Sequence, residues 1–487
     1  MNFSRDPMPG IQQGLLLVQV QPGSFYLEVP KVGLRLLCGC PPDSIKHLRK
    51  LGLVEATEVC GVKTQTGPNA ILLADVPAQQ GELSNLTEFP VLHMLYLQGM
   101  AIPGHPNHGR NKPLLIGKSL ELDAQAEYLK RGNYGLYDPQ EYRVLGYTPE
   151  QTELYLDIKR QFAYGRFIES KELIEFTPFD QDQIWIRGEL LIERLALNQF
   201  RFTLDQEVLE IDLNLGAEQR YRCAYQLPTA KLPEANFFVT HFGDGDGWDP
   251  TRPCLSTLIS FHKRLYLIDA GPFVDRNLAK LGLNAHDLSG LFITHVHDDH
   301  FGGFYGLVQS NPDLKVFVTI RVFACLMKKY SALSGIREDK LLSDIHYQIM
   351  EKEEWNDIQG LLVKPVPSAH PIDTTLLLFK VPFKNGFKSY GHLTDIANLQ
   401  VLKRLGSQTT CPEEYQKFYQ KLVEIYQEPM DLKRVDVGGG PVHGNVDDFA
   451  NDASGDILWA HTSSPISAEN LTSGHQAQFG ESVILIP

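Results

Sequence analysis

Residues Leu291–Gly303 read L-F-I-T-H-V-H-D-D-H-F-G-G, an apolar, β-favouring run that ends in a polar turn. The turn carries His295, His297, Asp299 and His300 in the spacing H-x-H-x-D-H. Residues i and i+2 at a strand end converge on one point when the chain turns. This spacing can therefore give His295 and His297 to one ion, and Asp299 with His300 to a second. Imidazole and carboxylate donors suit zinc, and also manganese or iron, better than calcium or magnesium.

A two-ion site needs more donors than one turn supplies. They are expected from loops at the same edge, each following an apolar strand. Val363–Pro367 leads into Ser368-Ala369-His370, which makes His370 a candidate. Leu376–Val381 and a strand around Phe387–Tyr390 lead to Gly391-His392-Leu393-Thr394-Asp395, offering Asp395 with His392 as competitor. The closing histidine is His461, at the end of D-I-L-W-A-H-T-S, or His443, in the glycine-rich G-G-G-P-V-H-G.

The H-x-H-x-D-H turn resembles the signature of the metallo-β-lactamase superfamily. The resemblance spans residues 236–487 well and 1–230 weakly. It implies an αββα sandwich of the α/β class holding two divalent ions. It also implies that Asp269, in L-I-D-A-G, supports the ligand loop without binding metal. The metal set it implies is His295, His297, Asp299, His300, His370, Asp395 and His461, with Asp395 bridging. The family's usual S-G-D is replaced here by G-H-L-T-D. The H-T-S after His461 resembles the phosphodiesterase and tRNA-processing branches. On that basis His443 is the expected proton donor, oriented by Asp436 or Asp447, and Asp299 and His443 are the expected catalytic residues. Two such ions would activate a water and polarise the scissile group. The expected activity is a hydrolase of a small, cyclic-nucleotide-like phosphodiester. Lactone or thioester hydrolysis is the alternative, and a non-catalytic metal-binding sensor is the reading from another class. The di-iron redox branch typically has Glu in place of the second histidine, whereas His297 is retained here.

At 487 residues the chain is too long for one ordinary core. Its composition, 43% hydrophobic and 21% charged, is that of a globular protein. The net charge of −14 disfavours a broadly basic nucleic-acid surface, so nucleic acid is not the favoured partner. A small-molecule substrate and a homodimer are the expected partners. The start, M-N-F-S-R-D-P-M-P-G, lacks a signal-peptide pattern, and no apolar run is long enough to span a membrane. With seven cysteines in no paired metal spacing, this points to the cytoplasm. Cys38 and Cys40 are read as small buried residues, and His105 and His108 as an exposed turn.

Residues 34–53 and 265–283 share a strand, a small-residue turn, a proline and a helix ending in K-L-G-L. Further on, Ile71–Gln80 aligns with Leu291–His300, placing Asp75, Pro77, Gln79 and Gln80 at His295, His297, Asp299 and His300. The expectation is a tandem pair: a degenerate copy over 1–230 without metal ligands, and a catalytic copy over 236–487, joined by the Pro-rich stretch 226–235. Tyr147–Gly165 and Arg187–Ala196 are read as helices, and H-F-G-D-G-D-G from His241 as a flexible loop rather than a phosphate cradle. Tyr134–Phe167 is read as aromatic core or interface, and Pro412–Gln427 as a helix.

Overall fold

The computed structural model describes residues 14–163, 165–407, 412–467 and 473–487. The opening residues used to judge a leader lie outside this range, as does Tyr164. The chain forms two compact units, residues 1–125 with 171–222, and residues 126–170 with 223–487. Residues 126–170 are therefore the exception to a division near 230. They leave the first half of the sequence and pack within the second unit.

In the first unit, β1 (Leu16–Gln21), β2 (Ser24–Val29) and β3 (Leu34–Cys38) form an antiparallel meander. Three parallel strands follow: β4 (Ala70–Leu72), β5 (Leu114–Gly117) and β6 (Glu175–Pro178). A second, antiparallel sheet comprises β7 (Gln183–Ile186), β8 (Leu190–Ala196), β9 (Gln199–Leu204) and β10 (Glu207–Asp212). Leu36, Ile116, Leu190, Ile192 and Phe202 from both sheets meet in one core. Cys38 and Cys40 are fully buried, and burial pushes the Cys38 thiol up.

Within Arg187–Ala196, Arg187–Glu189 form a turn and Leu190–Ala196 is strand, so the stretch is not a helix. Leu190 and Ile192 face the core while Leu191 and Glu193 are half-buried, a period of two that the leucine-rich composition disguised. Left-handed Arg187 and Gly188, and then Asn198, place turns at both ends of β8 (φ 52°, 72° and 61°).

The second unit repeats the first topology. β11 (Phe237–Gly243), β12 (Ser256–Phe261) and β13 (Arg264–Ile268) form an antiparallel meander. Parallel β14 (Leu288–Phe292), β15 (Val316–Val318) and β16 (Tyr347–Ile349) then follow in order. The second sheet runs β17 (Asn356–Ile358), β18 (Leu361–Pro367), β19 (Thr375–Phe383), β20 (Gly386–Leu393), β21 (Leu432–Asp436) and β22 (Ile457–Ala460). Its last two strands are parallel additions with no counterpart in the first unit's four-stranded sheet. A final strand, β23 (Ser482–Ile486), pairs with β11.

Backbone geometry repeats as well. Left-handed residues recur at a constant offset of 230: Gly39 and Asp269, Asp43 and Phe273, Gly52 and Gly282. Leu72 pairs with Cys38 as Phe292 pairs with Ile268, so Asp75 and His295 each lie three residues beyond a matched strand end.

Phe292 shows what holds the second sandwich together. It is fully buried, with its ring 5.0 Å from that of Phe317 and 5.4 Å from that of Phe379, one partner in each sheet. We expect Phe292→Ala to cost about 3–5 kcal/mol in denaturant unfolding, through lost burial and an unfilled cavity. A loss below about 1 kcal/mol would mean the two sheets do not share this core.

Candidate metal centre

Each candidate donor sits just past the end of a strand, on one edge of the second unit. β14 ends at Phe292, and its continuation supplies His295 and His297 before a short helix, Asp298–Phe301, supplies Asp299 and His300. The loop after β18 supplies His370, the turn after β20 supplies Asp395, and β22 delivers His461. Asp269, Asp395 and His461 all take left-handed backbone (φ 61°, 45° and 59°), a conformation uncommon outside glycine that Asp and His adopt more readily than most residues.

The two oxygens of Asp395 face different neighbours. Oδ2 lies 3.2 Å from His295 Nε2, 3.3 Å from His370 Nε2 and 4.0 Å from His297 Nδ1. Oδ1 lies 3.2 Å from His300 Nε2 and 3.5 Å from His461 Nε2. Asp299 Oδ2 joins the second set, 3.0 Å from His461 Nε2 and 3.6 Å from His300 Nε2. Donors arranged tetrahedrally about an ion at about 2.0–2.1 Å sit about 3.3 Å apart, close to the spacing of both sets.

The fit also rests on polar atoms that have no other use. Both ring nitrogens of His370 are buried without a hydrogen-bond partner, whereas His461 Nδ1 faces Asp436 Oδ1 at 3.5 Å and leaves Nε2 toward the other donors. The facing nitrogens of His295 and His297 lie 3.1 Å apart, and those of His300 and His461 lie 3.3 Å apart. Bare imidazoles gain little from that arrangement, whereas a shared cation satisfies it. All seven sequence candidates thus lie together in two neighbouring sets with Asp395 facing both, a donor chemistry and spacing that suit divalent metal.

The electrostatics differ between the sets. Burial lowers His295 and His297 to about 4 and His370 well below its ordinary value, leaving neutral imidazoles. Burial acts on His300 too, but Asp299 and Asp395 outweigh it and raise His300 to about 10. Likewise, the carboxylates of Asp395 and Asp436 overcome burial to raise His461 well above its ordinary value.

Partners hold several of these rings. Asp269 accepts hydrogen bonds from Thr294 N (2.8 Å) and Thr294 Oγ1 (2.7 Å) and lies 2.9 Å from His300 Nδ1, which fixes that ring. His443 Nδ1 is 2.8 Å from Asp436 Oδ2, whereas Asp447 is exposed and makes no such contact. Burial would lower His443, yet the Asp436 carboxylate prevails and holds it above its ordinary value. His392, the competitor to Asp395, turns instead to the Tyr390 hydroxyl at 2.8 Å and stands outside both donor sets.

The stretch after His241 is not the flexible loop its glycines suggested. Residues 241–247 are buried, and Arg252 ties Asp244 (2.6 Å) to Thr462 O (2.9 Å), bracing the residue after His461. His105 and His108 join no metal-competent group among the described residues. In the first unit, the place corresponding to His295 holds Asp75, bonded to Arg194 Nε (3.1 Å) and to Asn198 N (2.9 Å). Sequence reasoning named the candidate donors but missed the buried carboxylates beside them, Asp298 and Asp373. The one local hint was the first Asp of the H-D-D-H run, Asp298.

A family model described as "Metallo-beta-lactamase superfamily" matches residues 249–332. The ribonuclease Z of Thermoplasma acidophilum is 34% identical over 141 residues, covering 28% of this chain and 46% of that protein. The human zinc phosphodiesterase ELAC protein 1 is 35% identical over 71 residues, 14% of this chain and 20% of that protein. The cGMP-dependent 3',5'-cGMP phosphodiesterase A of Dictyostelium discoideum is 25% identical over 105 residues, 22% of this chain and 12% of that protein. The chain thus spans less than half the length of these relatives. No helix among the described residues is long and apolar enough to cross a membrane. The matched residues 249–332 contain the H-x-H-x-D-H turn and Asp269, so the similarity to the metallo-beta-lactamase superfamily falls on the candidate metal centre itself.

Proposed function

We propose that the second unit is a metal-dependent phosphodiesterase acting on a small phosphodiester of the cyclic-nucleotide kind. The observation that carries this reading is the shared Asp395, each of whose oxygens faces its own set of histidines. Two divalent ions held there, with zinc the first choice and manganese or iron as alternatives, would polarise a phosphoryl group and make water acidic near neutral pH. His295, His297 and His370 would hold one ion, and Asp299, His300 and His461 the other, with Asp395 between them. Asp299 thereby fixes a charge at the reacting centre.

His443 supplies the proton. Its Nδ1 faces Asp436, so Nε2 is the atom free to give a proton to the departing alkoxide. Its side chain is 22% exposed and that of His297 is 18% exposed, whereas Asp299, His300, Asp395 and His461 expose 5% or less. Substrate would therefore approach past His443 and His297. The names of the relatives favour phosphodiester chemistry over acyl transfer. They include both a cyclic-nucleotide enzyme and ribonucleases, so RNA is the second reading. The net charge of −14 favours the smaller anion.

The test is hydrolysis by the zinc-loaded full chain of bis-p-nitrophenyl phosphate, cyclic nucleotides, a short RNA and a lactone. Turnover of lactone without any phosphodiester would overturn the reading. We further expect His443→Gln to lower kcat on a cyclic nucleotide by about 10²–10⁴-fold. With p-nitrophenolate, which leaves without a proton, the loss should be several-fold at most. Equal losses on both substrates would remove His443 from the proton-donor role.

The first unit is, in our reading, a second copy of the same fold that has lost its ligands. The matched strand order and the repeated left-handed positions support this. At the His295 position an Asp75–Arg194 ion pair supplies internally the positive charge that a metal would bring.

A further inference from the structure

Two buried carboxylates flank the proposed ligands without belonging to either donor set. Asp298 lies between His297 and Asp299, and Asp373 lies three residues after His370. Both are bonded by residues 126–170, a segment drawn from the first half of the sequence that belongs to the compact unit carrying the site.

At Asp298, the Tyr128 hydroxyl donates to Oδ2, and Lys329 Nζ lies 3.0 Å from Oδ1. Lys329 also donates to the Val296 carbonyl at 2.5 Å, so one ammonium grips the ligand loop at two points. At Asp373, the segment contributes Lys159 Nζ (2.9 Å), the Tyr142 hydroxyl (2.9 Å) and the Leu136 amide (3.0 Å). Arg321 (3.1 Å) and the Cys325 thiol (3.4 Å) also bond this carboxylate. Lys159 is tied back to its own segment through the carbonyls of Tyr134 (3.0 Å) and Leu136. Tyr128, Tyr142, Lys329 and Asp373 are almost wholly removed from solvent, so these bonds are not exchanged for water.

The arrangement is selective. His295 has Thr294 Oγ1 at 3.0 Å from its Nδ1, and His300 has Asp269. His370 has no hydrogen bond on either ring nitrogen, and His297 Nδ1 faces another proposed ligand, His295, at 3.1 Å. These two rings, both on the Oδ2 side of Asp395, therefore depend on the placement of their loops. Asp298 and Asp373 are the points at which those loops are pinned.

We propose that residues 126–170 act as a clamp that positions His297 and His370 through Asp298 and Asp373. The ion site formed by His295, His297 and His370 then reaches full affinity only with the clamp engaged. Tyr128, Tyr142 and Lys159 are positioning residues that touch neither ion nor substrate. This rests on the two-ion reading above.

The test is zinc affinity of the full chain by chelator competition, with Tm measured in parallel. The variants are Tyr128→Phe, Tyr142→Phe, their double mutant and Lys159→Met. Tyr134→Phe serves as control, because that hydroxyl bonds Ile168 N and neither loop. Partners that orient metal ligands are worth roughly 10–100-fold in affinity. We expect one of the two zinc equivalents to weaken by about tenfold in Tyr142→Phe and by more in the double mutant and in Lys159→Met. The other equivalent should stay within about threefold of wild type, and Tyr134→Phe should be unchanged. A lower Tm with both affinities intact would make the contacts structural and overturn the proposal. Equal weakening of both equivalents would also overturn it, since the clamp is argued to be one-sided. Wild-type protein that binds no zinc would overturn the metal reading itself, a result distinct from either.

Discussion

Full-length protein purified without chelator will carry close to two equivalents of divalent metal, and Asp395→Ala will retain less than one. Asp395 has oxygens facing both donor sets, at 3.2 Å from His295 Nε2 on one side and 3.2 Å from His300 Nε2 on the other. Its loss should weaken both ions, whereas His297→Ala should weaken one. Activity of Asp395→Ala should fall well beyond the roughly 100-fold typical of residues that only orient ligands. Stability will respond in the same sense. A ligand that binds only the folded state adds RT ln(1 + [L]/Kd), about 2.7 kcal/mol at a hundredfold excess over Kd. Stripping metal with chelator should therefore lower Tm in the wild type and barely at all in Asp395→Ala. Elemental analysis and thermal scans check both halves. Full metal content in the variant would end the bridging assignment, and none in the wild type would leave the donors as a buried ion-pair network.

The candidate residues that the structure gathers at one edge were legible in the sequence because each follows an apolar run with a break in periodicity at a strand end. That is a local signal, complete within about ten residues. The helix reading of Arg187–Ala196 failed for a related reason. In L-L-I-E-R-L-A the apolar residues satisfy two periods at once, and the positive φ of Arg187 and Asn198 settles the choice. The glycine-rich stretch after His241 misled in the opposite sense. Its glycines permit close backbone packing: a Cβ at Gly243 would lie 2.1 Å from Cys254 O. The clamp was beyond local reading altogether. Tyr128 meets Asp298 across 170 residues of sequence, and Leu136 meets Asp373 across 237. Burying a Tyr or Lys against a distant Asp leaves no pattern in either neighbourhood. The repeat in topology was visible for another reason: the same strand order constrains its turn positions whatever side chains they carry. Gly39 and Asp269 thus keep the same left-handed φ while sharing neither residue type nor role.

The second large effect is expected from a single methyl group at Gly271. The loop Asp269–Gly271 and the ligand helix Asp298–Phe301 lie backbone against backbone: Ala270 N donates to His300 O at 2.8 Å, and Gly303 N to Ala270 O at 2.8 Å. A Cβ on Gly271 would stand 2.3 Å from Asp299 O and 3.1 Å from Cys254 Cβ, and one on Gly303 would stand 2.2 Å from Gly271 O. Neither residue has positive φ, so the constraint is space and not backbone conformation. Relief requires the helix bearing Asp299 and His300 to move by most of an ångström, because no flexible side chain is available to give way. Overpacking of this kind costs about 1–3 kcal/mol, and a displacement of about 1 Å at reacting groups costs on the order of 10²-fold in rate. Gly271→Ala should thus lose about 10²-fold in kcat with weaker metal binding, out of proportion to its modest fall in Tm. Gly282→Ala is the contrast. Its Cβ meets open space, and only the left-handed φ of 74° is penalised. That variant should lose about 1 kcal/mol of stability and keep its activity and metal. Equal behaviour of the two variants would mean that the approach of the Asp269 loop to the ligand helix does not set the position of Asp299 and His300.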